Sequence, residues 1–89
     1  MDQTPRKIAD SFVETEIDDE VVVLRLADGD IFSLVGTSLE VWKSIDGQKS
    51  TADIAAELSK LHDATADTVA DDVAGFIAEL KDAGFVDWA

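Results

Sequence analysis

Residues 30–47 read DIFSLVGTSLEVWKSIDG, a stretch that predicts a strand running directly into a helix. The strand carries apolar residues on both faces with a single serine among them: Ile31, Phe32, Ser33, Leu34 and Val35. A strand of this kind at the edge of a sheet presents unpaired backbone groups to which another extended chain can bond. We therefore expect the strand Asp30–Val35 to be the place where a partner docks.

The composition predicts one small, acidic, folded domain. The chain has 89 residues, 46% of them hydrophobic, and a formal net charge of −13 from 20 acidic and 7 basic residues. Such a charge opposes binding to nucleic-acid phosphates and to anionic membranes, and it favours basic or neutral partners. The chain has no cysteine, no secretory signal after Arg6 and Lys7, and no apolar run of the roughly 20 residues that span a bilayer. We expect a cytoplasmic protein.

The first part of the chain predicts a three-stranded antiparallel meander. Residues 1–10 are polar and are expected to be a flexible lead-in to a domain at residues 11–89. Strands rich in β-branched residues are predicted at 12–17, 21–26 and 30–35. An acidic turn at 18–20 joins the first two, and Asp28-Gly29 predicts a type I′ hairpin between the second and the third.

The rest of the chain predicts three helices. Thr37 and Glu40 have the spacing of a capping box at the start of the first helix, which ends at Asp46-Gly47. Ser50 with Asp53 predicts the start of the second helix, and apolar residues at helical spacing predict the third over residues 67–83. The fold class is α+β, with a meander followed by three helices in a winged helix-turn-helix-like arrangement.

No group of residues in the sequence predicts catalysis. His62 stands beside Asp63, a pair that could orient a general base, but no nucleophile can be placed near it, so we expect a solvated loop histidine. The acidic residues between positions 63 and 72 lack the alternating spacing of a calcium loop. We predict that the protein is not an enzyme and that it holds no metal and no cofactor.

Two other functions remain as alternatives at this point. Ser38, within Gly-Thr-Ser-Leu at 36–39, resembles the phosphopantetheine site of acyl carrier proteins, although such carriers begin with a helix rather than with strands. A winged helix could bind nucleic acid, but the predicted recognition helix carries five acidic residues against Lys81 alone, which disfavours that function.

Peptide binding is the function that the pattern favours. The third helix carries small residues at positions 70, 74, 75 and 78, and small side chains let another backbone approach closely. If the strand Asp30–Val35 lies beside this helix, the two form a groove that accepts an extended peptide as a fourth strand.

The segments FSLVGTSLEVWKSIDGQKSTADIAAEL (32–58) and VADDVAGFIAELKDAGFV (69–86) resemble the PqqD-like family, whose members recognise the leaders of ribosomally made, modified peptides. The resemblance covers about residues 12 to 88. Its matching positions are Phe32, Leu34, Val41, Trp42, Asp46, Gly47, Thr51, Ile54, Asp72, Val73, Phe76, Ile77, Leu80, Gly84, Phe85 and Val86.

The chain also departs from the family pattern at two places. Val35 stands where asparagine is frequent, and Ala27-Asp28-Gly29 replaces the Pro-Glu-Gly turn of the pyrroloquinoline-quinone pathway. The region around Gly36 and Trp42 is more similar to the leader-binding proteins of lasso-peptide clusters, so the pathway stays open.

The resemblance implies a non-catalytic peptide chaperone. The leader would add antiparallel to the strand, lie against the third helix, and be delivered to a separate processing enzyme, either a leader peptidase or a radical SAM enzyme. Asp72 would be available to a basic leader residue. The residues implied in binding are Asp30, Ile31, Phe32, Ser33, Leu34 and Val35 on the strand, and Val69, Asp72, Val73 and Phe76 on the helix.

Overall fold

The computed structural model of the chain describes residues 3–89, apart from the side chain of Ala66. In a three-stranded antiparallel sheet, the strands at residues 12–17, 20–25 and 31–35 lie side by side in that order, and three helices follow. The larger elements are β2 (Phe12–Ile17), β3 (Glu20–Arg25), β4 (Ile31–Val35), α1 (Gly36–Ser44), α2 (Thr51–His62) and α3 (Ala66–Asp82). Two short strands, β1 (Pro5–Lys7) and β5 (Val86–Trp88), pair with each other in a second sheet. The predicted α+β class, a meander followed by three helices, is confirmed.

The register of the larger sheet separates a core face from an outer face. Val21 lies opposite Leu34, and Val23 lies opposite Phe32. Because directly opposite residues in an antiparallel sheet project to the same side, these four side chains share one face. Val21, Val23 and Leu34 are buried there and Phe32 is half-buried against the core. The face therefore packs against the helices.

Trp42 is the centre of an aromatic cluster that joins the sheet, α1 and the end of the chain. It is 1% exposed, and its ring makes edge-to-face contacts with Phe12 at 5.2 Å and Phe85 at 6.2 Å between centroids. Its indole N–H donates to Glu14 Oε2 at 2.6 Å, which satisfies its one polar atom. Phe32 of β4 contacts Phe85 in the same geometry at 5.1 Å. The cluster fixes β4 relative to the helices.

The predicted start of α2 at Ser50 is confirmed, and the predicted capping box of α1 at Thr37 and Glu40 is wrong. Ser50 accepts a hydrogen bond from the Asp53 N–H, and the Asp53 carboxylate accepts one from the Ser50 N–H. In α1, however, Val35 stands at the N-cap position and no side chain caps the helix. The helix therefore begins earlier than predicted, at Gly36, which takes a φ of +58°.

The hairpin between β3 and β4 is present, but its predicted turn type is wrong. A type I′ turn requires positive φ at both central residues. Gly29 has a φ of +77°, whereas Asp28 does not lie in that region. The connection is instead a four-residue loop, 26–29, closed by the Gly29 N–H donating to the Arg25 carbonyl at 2.8 Å. Arg25 holds this wider loop through its side chain, as described below.

The domain begins earlier than residue 11. The sequence pattern predicts a flexible lead-in over residues 1–10, of which the first two lie outside the described part of the chain. Residues 5–7 form β1, and Pro5 is buried opposite Trp88. The Ile8 N–H also donates to the Phe85 carbonyl at 2.8 Å. This segment is thus paired with the C-terminal strand, a long-range contact that local polarity does not reveal.

Within residues 3–89, none of the helices has the length and apolar character needed to cross a membrane.

Candidate functional site

The second edge of β4 is unpaired in the described part of the chain. In the order β2–β3–β4, β4 bonds to β3 on one side and to no other strand on the opposite side. Ile31 and Val35 are 70% and 56% exposed, and Ser33 is exposed between them. The strand is therefore an accessible edge that can take a further strand.

The hydrogen-bond phase of β4 decides which residues present their backbone to that edge. The Arg25 N–H donates to the Asp30 carbonyl at 2.8 Å, so these opposite residues form a hydrogen-bonded pair. Such pairs alternate along an antiparallel ladder. Phe32 and Leu34 therefore direct their backbone groups towards β3. Ile31, Ser33 and Val35 direct their N–H and C=O groups towards the free edge.

Two cavities lie along α3, and Phe76 lines both. The larger, of about 480 Å³, is bounded by α3, the start of α1 and the end of α2. The smaller, of about 120 Å³, lies between the core face of the sheet and the second half of α3. Phe32 and Leu34 of β4 line the smaller cavity. Together the cavities form an apolar groove along α3, which we call the α3 groove.

The structure brings most of the residues implied in binding to this groove or to the free edge. Four of them lie on α3 and line the larger cavity: Val69, Asp72, Val73 and Phe76. Ile31, Ser33 and Val35 lie at the edge, and Phe32 and Leu34 face the smaller cavity. Asp30 differs from the others, because its backbone bonds to β3 and its carboxylate accepts from Arg25 at 3.0 Å.

The small residues of α3 do not line the groove, contrary to the prediction from sequence. Ala70 is half-buried against the core and lines neither cavity. Ala74, Gly75 and Ala78 are exposed, and they do not line either cavity. They lie on the solvent side of α3, whereas the groove side carries the larger residues. Helical periodicity alone could have separated the two sides, because Val69, Val73, Phe76 and Leu80 form the apolar stripe.

Sequence reasoning missed the contributions of α1 and α2 to the larger cavity. Thr37, Ser38 and Val41 line it from α1, and Leu58 and His62 line it from α2. Ser38, considered above as a carrier-protein attachment site, is a half-buried wall residue here. These residues come from segments distant in the sequence, so only the packing of the helices brings them together.

Arg25 fixes the end of the groove nearest the hairpin. Its guanidinium donates to Asp28 at 2.7 and 2.9 Å, to Asp30 at 3.0 Å and to the carbonyl of Ala83, just beyond α3, at 3.1 Å. It also lies 5.2 Å from the ring centroid of Phe32. One side chain thus ties the hairpin loop, β4 and the end of α3 together, which sets their separation.

A second polar contact stands beside the larger cavity. The sequence predicts His62 in a solvated loop, whereas the structure places it as the last residue of α2, with its Nε2 2.8 Å from Oε2 of Glu40 in α1. Asp63 follows in the left-handed region with a φ of +50° and ends the helix. The helix runs further than the break in the apolar pattern indicated, and the His62–Glu40 pair joins α1 to α2.

The Arg25–Asp28 pair predicts a specific loss of stability in acid. Hydrogen bonding from the Arg25 guanidinium, helped by the Asp30 N–H, lowers the pKa of Asp28 from 3.8 to about 2. Because the folded pKa is lower than the unfolded one, the pair stabilises the fold above pH 3.8 and the benefit disappears as the pH falls through 2. We expect Asp28→Asn to lower the Tm slightly at pH 7 and not at pH 2.

Thermal unfolding of both proteins across pH 2 to 7 measures this difference. Asp19→Asn, an exposed carboxylate in the β2–β3 turn, is the matched control. A wild-type advantage over Asp28→Asn that persisted at pH 2 would contradict the assignment.

Comparison with known proteins places this arrangement in a family. The family described as coenzyme PQQ synthesis protein D (PqqD) matches residues 20–86, which include β3, β4 and all three helices. The chain belongs to the PqqD family. The family predicted from the residues is thereby confirmed, and leader-binding proteins of the PqqD family are in general non-catalytic.

A solved structure is similar to nearly the whole chain. It is TbiB1 in complex with the TbiA(β) leader peptide, at 28% sequence identity and a TM-score of 0.81. The alignment covers 91% of this PqqD-family chain and 94% of TbiB1. No curated protein was found to match the sequence.

Proposed function

We propose that this protein is a non-catalytic chaperone that binds the leader of a ribosomally made precursor peptide and delivers it to a processing enzyme. The observation that carries the proposal is the free edge of β4 beside the apolar α3 groove. Membership of the PqqD family and similarity to a protein solved with a leader peptide support it. The protein would meet its precursor in the cytoplasm, where translation releases it.

The leader adds to β4 as a fourth strand. The backbone groups of Ile31, Ser33 and Val35 bond to it, because these are the residues whose groups point to the free edge. Leader residues opposite Phe32 and Leu34 then project to the core side, towards the α3 groove. Backbone bonds therefore supply affinity that does not depend on sequence, and the groove selects apolar side chains at every second leader position.

Acidic residues around the groove add a second preference, for basic residues in the leader. Asp72 lines the larger cavity and Glu79 the smaller one, and both side chains belong to exposed residues of α3. A lysine or arginine of the leader placed beside either carboxylate would gain a favourable interaction. We therefore expect a leader with alternating apolar residues flanked by basic ones.

The departures from the family pattern favour one pathway over the other. The turn at 27–29 and Val35 differ from the pyrroloquinoline-quinone type, whereas the Gly36 and Trp42 region is similar to the lasso-peptide type. We propose lasso-peptide biosynthesis, with a leader peptidase as the receiving enzyme.

The direct test is a titration with the leader of the precursor peptide encoded beside the gene. Anisotropy of a labelled leader measures Kd, and amide chemical-shift mapping locates the contacts. We expect saturable binding with shifts along β4 and the first half of α3. Saturable binding with shifts confined to α2 or to β1 and β5 would overturn strand addition, and no binding would overturn the proposed function.

Phe76 offers a quantitative test because it lines both cavities. Phe76→Ala removes apolar surface from the middle of the groove, and we expect the leader Kd to rise about 10-fold, corresponding to about 1.4 kcal/mol. Leu61→Ala is the matched control, since Leu61 is 70% exposed on α2 and lines neither cavity. Equal affinities of the two variants would show that the leader does not enter the groove.

A further inference from the structure

The outer face of the sheet is apolar, although none of the helices within residues 3–89 covers it. Opposite residues form rows across the three strands, Val13–Leu24–Ile31 at one end and Ile17–Glu20–Val35 at the other. Val13, Ile17, Ile31 and Val35 are 52%, 50%, 70% and 56% exposed, and Val22 and Leu24 lie half-buried between them. We call these six residues, with Thr15, Ser33 and Glu20 among them, the outer sheet face.

This face is distinct from the leader site. The leader bonds through the backbone edge of β4 and places its selective side chains on the core side, so it borders the outer sheet face at β4 and leaves the β2 and β3 residues of that face uncovered. The largest apolar patches on soluble monomers cover a few hundred Å² and are often functional. A partner of the protein therefore has an apolar surface available that the leader does not use.

We propose that the processing enzyme docks on the outer sheet face, through an apolar patch of its own that is flanked by lysine or arginine. This inference rests on the proposed function. The acidic residues at one end of the face favour a partner with basic side chains. Asp18 and Asp19 in the β2–β3 turn are exposed beside Ile17, and Glu20 lies within the face. Basic side chains on the enzyme complement this acidic end.

A second copy of the chain is a less suitable partner for the outer sheet face than the enzyme. Face-to-face pairing would bring together two chains that each carry a net charge of −13, with an acidic cluster on each face. The area of the face is also too small for a stable dimer. Three strands about 4.8 Å apart and five residues long cover roughly 250 Å², whereas each partner in a stable complex buries about 800 Å². The face suits a transient contact, as a delivery step requires.

The added leader strand enlarges this docking surface. Its alternate side chains project outwards beside Ile31 and Val35, so the enzyme touches both the protein and the leader. Each of the two ligands then strengthens the binding of the other by the same factor. Handover of the peptide would thus be favoured when the leader is in place.

The test uses the enzyme and the precursor leader encoded beside the gene. Val13→Thr combined with Ile17→Thr makes the β2 side of the face polar while keeping β-formers, and it leaves β4 unchanged. We expect the enzyme Kd to rise at least about 10-fold and the leader Kd to stay within about two-fold. Glu16→Thr, on the core side of the same strand, is the control and should change neither value.

Titrating the enzyme with and without the leader separates the two proposals. An enzyme Kd unaffected by the double substitution would overturn docking on this face. A wild-type dimer in sedimentation that the double variant dissolves would also overturn it, because a second copy would then cover the face. Failure of the wild type to bind the leader would overturn the proposed function instead, and the leader-free enzyme titration would still decide the face.

A variant expected to bind the enzyme more tightly tests whether the contact is apolar. Thr15 lies at the centre of the β2 edge of the face, opposite Val22. Thr15→Val extends the apolar surface, and we expect it to tighten enzyme binding severalfold. Unchanged or weaker binding would contradict an apolar contact at this position.

Discussion

We expect Ser33→Pro to weaken leader binding at least about 30-fold while the protein stays folded. Ser33 directs its N–H to the free edge of β4, as the Arg25–Asp30 pairing establishes. Proline removes this donor and places its ring where the leader backbone must approach. Leaving the leader carbonyl unpaired costs roughly 1–3 kcal/mol, and each 1.4 kcal/mol is a factor of ten in Kd.

Three further variants make this test specific, with folding checked by circular dichroism and binding by leader titration. Ser33→Ala removes the hydroxyl that donates to Glu20 but keeps the N–H, so it should bind almost normally. Glu16→Pro places proline at the free edge of β2, where we expect no effect on binding. Leu34→Pro should unfold the sheet, because that N–H bonds to β3. A folded Ser33→Pro variant with wild-type affinity would rule out strand addition.

The largest effect on stability is expected from Trp42→Ala. Trp42 is 1% exposed, contacts Phe12 and Phe85, and donates to Glu14. Truncating a buried aromatic residue to alanine costs about 3–5 kcal/mol, a large part of the total stability of a small domain. We expect the Tm to fall by at least about 12 °C, and much of the chain to be unfolded at 37 °C.

Thermal unfolding followed by circular dichroism measures this effect, and two variants calibrate it. Trp42→Phe keeps a ring but loses the N–H donated to Glu14, so we expect a smaller fall in Tm. Trp88→Ala removes the same side chain from a half-buried position in β5, and it should also cost less. A Tm for Trp42→Ala equal to that for Trp88→Ala would contradict the central place of Trp42 in the core.

Local patterns predicted the elements of the fold well, because each depends on nearby residues. The β-branched run at 21–23 predicted the central strand, and the Ser50–Asp53 spacing predicted the start of α2. The same patterns predicted the order of the elements, and the family resemblance agreed with it. The prediction of a type I′ turn at Asp28-Gly29 is wrong because Arg25, a residue outside the turn, holds a wider loop through its side chain.

Features that depend on distant residues could not be predicted from local patterns. The pairing of residues 5–7 with 86–88 joins opposite ends of the sequence, and a short polar segment carries no sign of it. The walls of the larger cavity from α1 and α2 are set by helix packing. A single observed hydrogen bond, from the Arg25 N–H to the Asp30 carbonyl, shows which residues of β4 bond to β3. Because bonded and non-bonded pairs alternate, it also shows which residues point to the free edge.

The pairing of β1 with β5 has a practical consequence for engineering. Pro5 lies opposite Trp88, and the Ala89 N–H donates to the Thr4 carbonyl at 2.7 Å, so residues 4 and 89 are neighbours in space. A domain whose ends meet can be spliced into a surface loop of a host protein, or circularly permuted, without stretching its backbone. The same recognition unit could therefore be carried by other scaffolds as a portable adaptor.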